Sequence, residues 1–392
     1  MVDIGGWVEP GWEKVADAFR ANFDDGKELG AAAALYQGGR PVVDLWGGVA
    51  DGTTGRPWAE DSIVLVFSST KGMTAILAHM LVERGRLDLD APVATYWPEF
   101  AASGKEAIPV RWLLSHQAGL PAVDTPLSQD EICAWDPLIT ALEAQAPMWE
   151  PGKHHAYHAL TYGHLVGEVL RRITGKTPGR LFADEVAGPL GLSAWIGLPE
   201  AEEPRVARLE PAPPIEDEGL RQIMEMFVGE GSLFDRSVLG FPVDLVTPDG
   251  GAFGSRQVRA AEIPAGNLVT DARSLARAYA ATVAEVNGVR LLSPETVDAA
   301  RVIQTDTSEP WGLPPGFEMF GTIAALGFQV STDLFPVLGP SCFGHGGAGG
   351  SVGVGHVDHQ LGFAYVMNQM RTELPGIPRS QLLMDAVLAC LD

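Results

Sequence analysis

Ser68 and Lys71 stand three residues apart at the start of a predicted helix, and this spacing can support catalysis. A serine hydroxyl is a poor nucleophile until a neighbouring group takes its proton. A lysine, whose ordinary pKa is about 10.4, can accept that proton when burial or a nearby cation lowers its pKa. A helix N-terminus adds partial positive charge and free N–H groups where an oxyanion would form. The pair therefore predicts nucleophilic catalysis, with a solvated surface turn as the alternative because Ser-x-x-Lys is common by chance.

The chain around this pair predicts the elements that must position it. A short β-prone run over residues 64–67 leads into Ser68, and apolar residues then recur with the spacing of one buried helix face until Gly85. A hairpin is predicted from two apolar runs joined by the turn Gly38-Gly39-Arg40. The other predicted helices cover residues 12–26, 110–115, 130–145, 160–173, 219–228, 271–283 and 380–391, and the other strands cover 326–330, 352–357 and 363–367.

Strands near both ends of the chain surround a helical middle, which predicts an α+β fold. Residues 1–77 and 264–392 are expected to form an α/β domain with a central antiparallel sheet. Residues 78–263 are expected to form an inserted, mainly helical domain. Its long, proline-rich segment 189–263 includes a helix with the apolar residues Ile223, Met224, Met226 and Phe227. This segment is interpreted either as a lid over a substrate cleft, with Phe227 binding substrate, or as ordinary core packing.

Composition narrows the classes of function. The 392 residues are 46% hydrophobic and 20% charged, as in a soluble globular protein, and the net charge of −23 disfavours nucleic acid and anionic membranes as partners. The three cysteines form no metal-binding spacing. The first residues lack the basic side chains and the apolar run typical of a signal peptide, so none is expected, and no apolar run of about 18 residues occurs. We expect a cytoplasmic protein, a monomer or homodimer, with a small molecule as its substrate.

Two further segments carry candidate functional residues. Tyr157 precedes a predicted helix and would act as a proton relay if it lay near Ser68 and Lys71, where cations would favour its phenolate; otherwise it is a packing residue. The glycine-rich run from Phe343 to Ser351 would let a substrate approach the backbone closely, and a tight turn is the alternative.

Two other patterns are weaker indications of a functional site. Gly349-Gly-Ser351-Val-Gly matches the nucleophile elbow of α/β-hydrolases, but that elbow needs a following helix, whereas the residues after Ser351 alternate like a strand. His154 and His158 have a spacing that converges on a metal only within a helix, yet they lie in a predicted loop without a carboxylate or cysteine partner. We therefore expect neither a metal nor another cofactor, and no phosphate-binding loop is found.

Taken together and in order, these segments resemble the penicillin-binding protein and class C β-lactamase superfamily, and most closely its esterase branch, the family VIII carboxylesterases. The resemblance covers residues 10–390. The landmarks are Ser68-Ser-Thr-Lys71, the run from Leu113 to Pro121, Pro151-Gly152, Tyr157-His158, the stretch from Gly163 to Gly175, Pro264-Ala-Gly-Asn267 and His345-Gly346-Gly347.

The resemblance implies a role for each landmark. Ser68 would be the acylated nucleophile, Lys71 its base, and Tyr157 the relay that also protonates the leaving group. The backbone N–H groups of Ser68 and Ala348 would form the oxyanion hole. His345, Gly346 and Gly347 would contact substrate. The implied fold is a β-lactamase/transpeptidase-like α/β sandwich, an antiparallel sheet flanked by helices, with a helical domain beside it.

Two departures from the β-lactamase pattern indicate the substrate. Tyr157-His158-Ala159 lacks the asparagine that would orient a lactam side chain, and His345 replaces a lysine that would bind a carboxylate. An imidazole that is mostly neutral at pH 7 binds a carboxylate less well. Both departures favour neutral acyl esters, rather than penicillins or peptidoglycan stem peptides, as substrates. Alternatives on this fold are an acyltransferase, a linear-amide hydrolase or a weak β-lactamase, and an alternative of another class is a non-catalytic binding or scaffold protein.

Overall fold

A central antiparallel sheet draws its strands from both ends of the chain, as predicted. The computed structural model describes residues 2–24, 26, 28–241, 245–313, 323–332, 337–371 and 379–391. Eight of the described strands form this sheet in the order β1-β3-β2-β13-β12-β11-β10, with β4 paired to β3. The strands are β1 (Ile4–Val8), β2 (Gly30–Gln37), β3 (Arg40–Asp51), β4 (Arg56–Pro57), β10 (Gln329–Val330), β11 (Cys342–Gly346), β12 (Val352–His356) and β13 (Leu361–Met367).

The two faces of the sheet are covered by helices from different parts of the chain. Successive residues of a strand point to opposite faces. On β13, Tyr365 stacks edge-on against Phe19 of α1 (Glu13–Asp24). Gly362, three positions earlier and hence on the other face, lies so close to α12 (Ala272–Val283) that an added Cβ would be 2.2 Å from a helix carbonyl oxygen. The core therefore consists of a helix, the sheet and a second helix in layers.

The middle of the chain is mainly helical and is joined to the sheet region by short strands. The strands β5 (Val64–Leu65) and β7 (Ala194–Trp195) both pair with β8 (Val269–Thr270), so the strand that leads to Ser68 is held by both parts. The pair β6 (His154–His155) and β9 (Glu309–Pro310) is parallel. The remaining helices are α2 (Thr70–Glu83), α3 (Val110–Leu114), α4 (Gln129–Cys133), α5 (Asp136–Ala144), α6 (Thr161–Thr174), α7 (Pro178–Phe182), α8 (Gly188–Leu190), α9 (Glu218–Val228), α10 (Leu233–Ser237), α11 (Arg256–Ala260), α13 (Pro294–Ala300) and α14 (Gln381–Leu388).

Three local predictions were wrong. The helix α2 was expected to bury one face, but every residue from Thr70 to Leu81 is buried, because the helix lies between the sheet region and α6. The helix predicted over 130–145 is broken at Trp135, whose φ is +70°, since Pro137 cannot sit inside a continuous helix. The strand predicted over 326–330 contains only Gln329 and Val330, because the chain bends at Gly327 with φ +87°.

The buried apolar residues of both parts form one continuous core. The division into an α/β domain of residues 1–77 and 264–392 and a helical domain of residues 78–263 therefore stays a prediction. No helix in the described ranges has the length and apolar character required to cross a bilayer.

Candidate active site

Ser68 sits at a sharp bend between β5 and α2. Phe67, directly before it, has φ +47°, a left-handed conformation that is unfavourable for a residue with a side chain. The bend is held by Thr70, whose hydroxyl donates to the Phe67 carbonyl at 2.5 Å and accepts from the Leu268 N–H at 2.9 Å. The half-buried Ser68 side chain is thereby presented at the N-terminus of α2, where the sequence predicted it.

Lys71 is completely buried and its amine has three close partners. The Nζ atom lies 3.0 Å from Ser68 Oγ, 2.7 Å from the carbonyl oxygen of Ala159 and 2.9 Å from that of Ala265. Burial lowers the pKa of Lys71 well below its usual value. A neutral amine has two N–H groups and one lone pair. Because a carbonyl oxygen can only accept, in the neutral form the two carbonyls would take both N–H groups and leave the lone pair facing the Ser68 hydroxyl.

The phenol of Tyr157 completes this group. Its ring centre lies 4.7 Å from Lys71 Nζ, and its hydroxyl is hydrogen-bonded to the Ser68 side chain. Burial raises the pKa of Tyr157 well above its usual range, and the hydrogen bond from Ser68 only partly opposes this. The expected stabilisation of a phenolate was therefore wrong, since desolvation outweighs the influence of its neighbours. Tyr157 is a protonated phenol, suited to giving a proton rather than taking the first one.

Three buried histidines surround the tyrosine without adding charge. Burial lowers the pKa of His345 to about 3, that of His158 to about 4 and that of His116 well below its usual range. His158 Nε2 accepts from the Leu120 N–H at 3.0 Å, and its Nδ1 lies 2.7 Å from the Ala156 carbonyl oxygen. Both ring nitrogens of His158 are thus occupied. The described residues contain no group of histidines, cysteines and carboxylates arranged to hold a metal.

The loop before β8 supplies one of the two carbonyls on Lys71. The side chain of Asn267 accepts from the Ile263 N–H at 3.0 Å and donates to the carbonyls of Val258 at 2.8 Å and Ala261 at 2.6 Å. These bonds fix the turn that points the Ala265 carbonyl at the amine. The sequence could not identify the carbonyls of Ala159 and Ala265 as functional groups, because every residue has one and only the fold selects among them.

The glycine-rich run lies opposite Ser68. It ends β11, forms a tight turn over Ala348–Gly350 and enters β12 at Val352. Ser351 is buried, and its hydroxyl donates to the Val66 carbonyl at 2.8 Å, which ties the turn to the strand before Ser68. A strand rather than a helix follows Ser351, so the elbow pattern lacks the structure it needs.

A cavity of about 550 Å³ opens at Ser68. Tyr157, His345, Gly346, Gly347 and Ala348 line it together with Ser68, so these predicted residues share one site, whereas Lys71 lies beneath it. None of the described lining residues carries a charged side chain. The sequence did not identify most of the apolar wall, which is formed by Phe67, Leu160, Phe234, Val238, Leu245, Phe253, Ile323, Val330, Val337, Val352, Val354 and Met384.

Phe227 lies at a neighbouring cavity rather than at Ser68. This second cavity, of about 210 Å³, is lined by Phe227, Trp311 and His155, and it shares Tyr157 and Phe234 with the first. Four residues of the predicted lid segment line the larger cavity, namely Phe234, Val238, Leu245 and Phe253. Movement of the segment as a lid stays a prediction.

Comparison with known proteins identifies the fold. A family model described as beta-lactamase matches residues 15–388. The chain belongs to the beta-lactamase family. It is 35% identical over 385 residues to the esterase/beta-lactamase LipL of Mycobacterium tuberculosis, covering 95% of this chain and 84% of LipL. The resemblance predicted from the ordered motifs is thus confirmed.

Two solved structures are similar over nearly the whole chain. A family VIII carboxylesterase is 36% identical with a TM-score of 0.83, covering 99% of this chain and 100% of its own. A penicillin-binding protein homologue from Caulobacter crescentus is 34% identical with a TM-score of 0.85, again covering 99% and 100%. The predicted fold class, an antiparallel sheet with helices on the β-lactamase/transpeptidase plan, is confirmed.

The protonation state of Lys71 predicts a specific dependence of stability on pH. The folded pKa lies below that of the unfolded chain, so between the two the unfolded chain binds more protons and stability rises with pH. Relative to Lys71→Met, the wild-type free energy of unfolding should increase between pH 7 and 10 by at most about 1.4 kcal/mol per pH unit. Denaturant titrations at several pH values measure this, with the exposed Lys14→Met as the control for loss of a charge. A pH-independent difference would mean that Lys71 stays charged in the folded protein.

Proposed function

We propose that this chain is a serine carboxylesterase that hydrolyses small acyl esters through an acyl-enzyme on Ser68. The observation that carries the proposal is the position of the Lys71 amine. Its nitrogen lies within hydrogen-bond distance of two carbonyl oxygens, and its lone pair in the neutral form faces Ser68 Oγ at 3.0 Å. A wholly buried lysine without a carboxylate partner is costly for stability. Such a cost is typical of a functional site and argues against a binding or scaffold protein.

The proposed acylation begins with a proton transfer. The Ser68 hydroxyl gives its proton to neutral Lys71 while Oγ attacks the ester carbonyl, and the carbonyl π electrons move to its oxygen. The backbone N–H groups of Ser68 and Ala348 would donate to this oxyanion, which is where such donors contribute most to rate. Collapse of the tetrahedral intermediate breaks the bond to the alkoxide, which takes the Tyr157 proton and leaves as the alcohol.

Deacylation follows the same route in reverse. The Lys71 ammonium gives its proton to the adjacent Tyr157 phenolate, which restores the phenol and leaves Lys71 neutral again. Water then attacks the acyl carbonyl carbon and gives one proton to Lys71. The tetrahedral intermediate collapses with cleavage of the bond to Ser68 Oγ, which takes that proton back from Lys71. The net reaction is ester plus water to acid plus alcohol, and no cofactor takes part.

The lining of the cavity supports neutral esters as the substrate class. The residues described as lining the cavity include no lysine or arginine that would pair with a substrate carboxylate, and His345 is neutral because burial lowers its pKa to about 3. Similarity to the esterase/beta-lactamase LipL and to a family VIII carboxylesterase supports esters as substrates. The absence of a cation from this lining disfavours the carboxylate-bearing β-lactams. Acyl transfer and linear-amide hydrolysis share the acyl-enzyme and differ only in the acceptor or the leaving group.

Removal of the base tests the mechanism. Lys71→Ala and Tyr157→Phe should each lower turnover of p-nitrophenyl butyrate by about 10²–10⁴-fold, since general acid–base catalysis contributes that much. Lys105→Ala is the matched control, because Lys105 is also buried and donates to two carbonyls, at 2.9 and 2.6 Å, away from Ser68. A serine-reactive phosphonate should label Ser68 in the wild type. Near-full activity of Lys71→Ala, or label on Ser351, would contradict the mechanism.

The smaller cavity is the proposed place of the departing alcohol, because the alkoxide must leave within reach of Tyr157, which lines both cavities. Trp311 forms an aromatic wall there with 39% of its surface exposed. Trp311→Ala should lower kcat/KM for phenyl butyrate relative to ethyl butyrate by about fivefold, since aromatic contacts contribute about 1 kcal/mol. Trp7→Ala, at a tryptophan 43% exposed on β1, is the control. An unchanged ratio would place the alcohol elsewhere.

A further inference from the structure

The turn that carries Ala348 is built from a backbone with little intrinsic rigidity. Two glycines precede Ala348 and two follow it, and Gly349 has φ +81°. Glycine loses more conformational freedom on ordering than any other residue. An oxyanion donor, by contrast, must stay within a few tenths of an ångström of its acceptor to be effective. The turn therefore depends on ties from outside itself.

One of these ties is a largely buried arginine, Arg379, from the far end of the chain. Arg379 Nη2 donates to the Gly349 carbonyl at 2.8 Å and to the Gln369 carbonyl, just beyond β13, at 2.9 Å. A single guanidinium nitrogen thus links the turn to the end of a central strand. Gly349 also packs so closely on Met370 that an added Cβ would lie 2.5 Å from its sulfur.

The arginine is itself held by a buried carboxylate. Arg379 Nη1 donates to both oxygens of Glu28 at 2.7 and 2.9 Å, and the side chains are 9% and 1% exposed. The Tyr365 hydroxyl donates to Glu28 at 2.8 Å, and the Asn22 amide donates to the Arg379 carbonyl at 3.2 Å. One guanidinium nitrogen of Arg379 thus binds the Glu28 carboxylate, and the other binds the carbonyls of Gly349 and Gln369. The single ammonium group of a lysine cannot reproduce this geometry.

We propose that Arg379, held by Glu28, is a positioning residue for the oxyanion hole, because it fixes the glycine turn that presents the Ala348 N–H to the substrate. The proposal rests on the proposed acyl-enzyme function of Ser68. Arg379 acts through the turn and does not touch the substrate. Its effect should therefore be confined to species that carry an oxyanion.

The test is Arg379→Lys, which keeps a cation beside Glu28 but loses the second nitrogen, the one that binds the carbonyls of Gly349 and Gln369. Removal of an oxyanion donor lowers kcat by about 10²–10³-fold, and a displaced donor should lower kcat/KM on p-nitrophenyl butyrate by about 10–100-fold. A trifluoromethyl ketone with a hexyl chain, which forms a tetrahedral adduct with the serine, should lose affinity by the same factor. The corresponding methyl ketone, bound without an adduct, should bind as it does to the wild type.

Glu28→Gln keeps an acceptor for Arg379 and should show the same pattern with a smaller loss, which gives a second variant if Arg379→Lys folds poorly. Arg273→Lys is the matched control, since Arg273 pairs with Asp44 at 2.6 Å between α12 and β3, away from the turn. Equal losses for both ketones, or unchanged kcat/KM in both variants, would overturn the positioning role. A wild type that neither hydrolyses the ester nor forms the ketone adduct would instead overturn the function on which it rests.

Discussion

The site depends on one interaction, the contact of a wholly buried lysine amine with two backbone carbonyls and a serine hydroxyl. Desolvation lowers the pKa of Lys71 well below its usual value, and the carbonyls of Ala159 and Ala265 would then fix the direction of the lone pair of the neutral amine. The rest of the local structure serves this geometry. Asn267 shapes the loop that supplies one carbonyl, and the strained Phe67 turns Ser68 towards the amine. The folding free energy lost through burial and strain is a cost that many enzymes carry at their active sites.

Rigidity around the serine is distributed unevenly. The nucleophile stands at the start of a helix buried on all sides, whereas the opposite wall is a turn of four glycines around Ala348. This turn gains its order from its neighbours, through Ser351 on the side of Ser68 and Arg379 on the side of the sheet. The described residues that line the cavity between these walls carry no charged side chain, which argues against strong electrostatic recognition of the substrate. Shape and apolar contact therefore determine which esters fit.

The sequence predicted the elements and residues that depend on local pattern. The hairpin of β2 and β3, the helix after Ser68, the meeting of Tyr157 with Ser68 and the family followed from spacing and from motif order. What depends on distant contacts was not predictable. The burial of α2 from Thr70 to Leu81 and the neutral phenol of Tyr157 follow from surrounding elements. The apolar wall of the cavity and the Glu28–Arg379 pair bring together residues up to 351 positions apart, and a single sequence gives no signal for contacts between such distant residues.

The central claim is that Lys71 is a neutral amine when the enzyme binds its substrate. Nitrogen NMR of protein labelled with ¹⁵N at the lysine side chains observes this directly, with the Lys71 signal assigned by its loss in Lys71→Met. The account predicts a neutral-amine chemical shift for Lys71 at pH 7.5, while exposed lysines show ammonium shifts. An ammonium shift for Lys71 that persists up to pH 10 would contradict it, because the amine would then have no lone pair for the Ser68 proton.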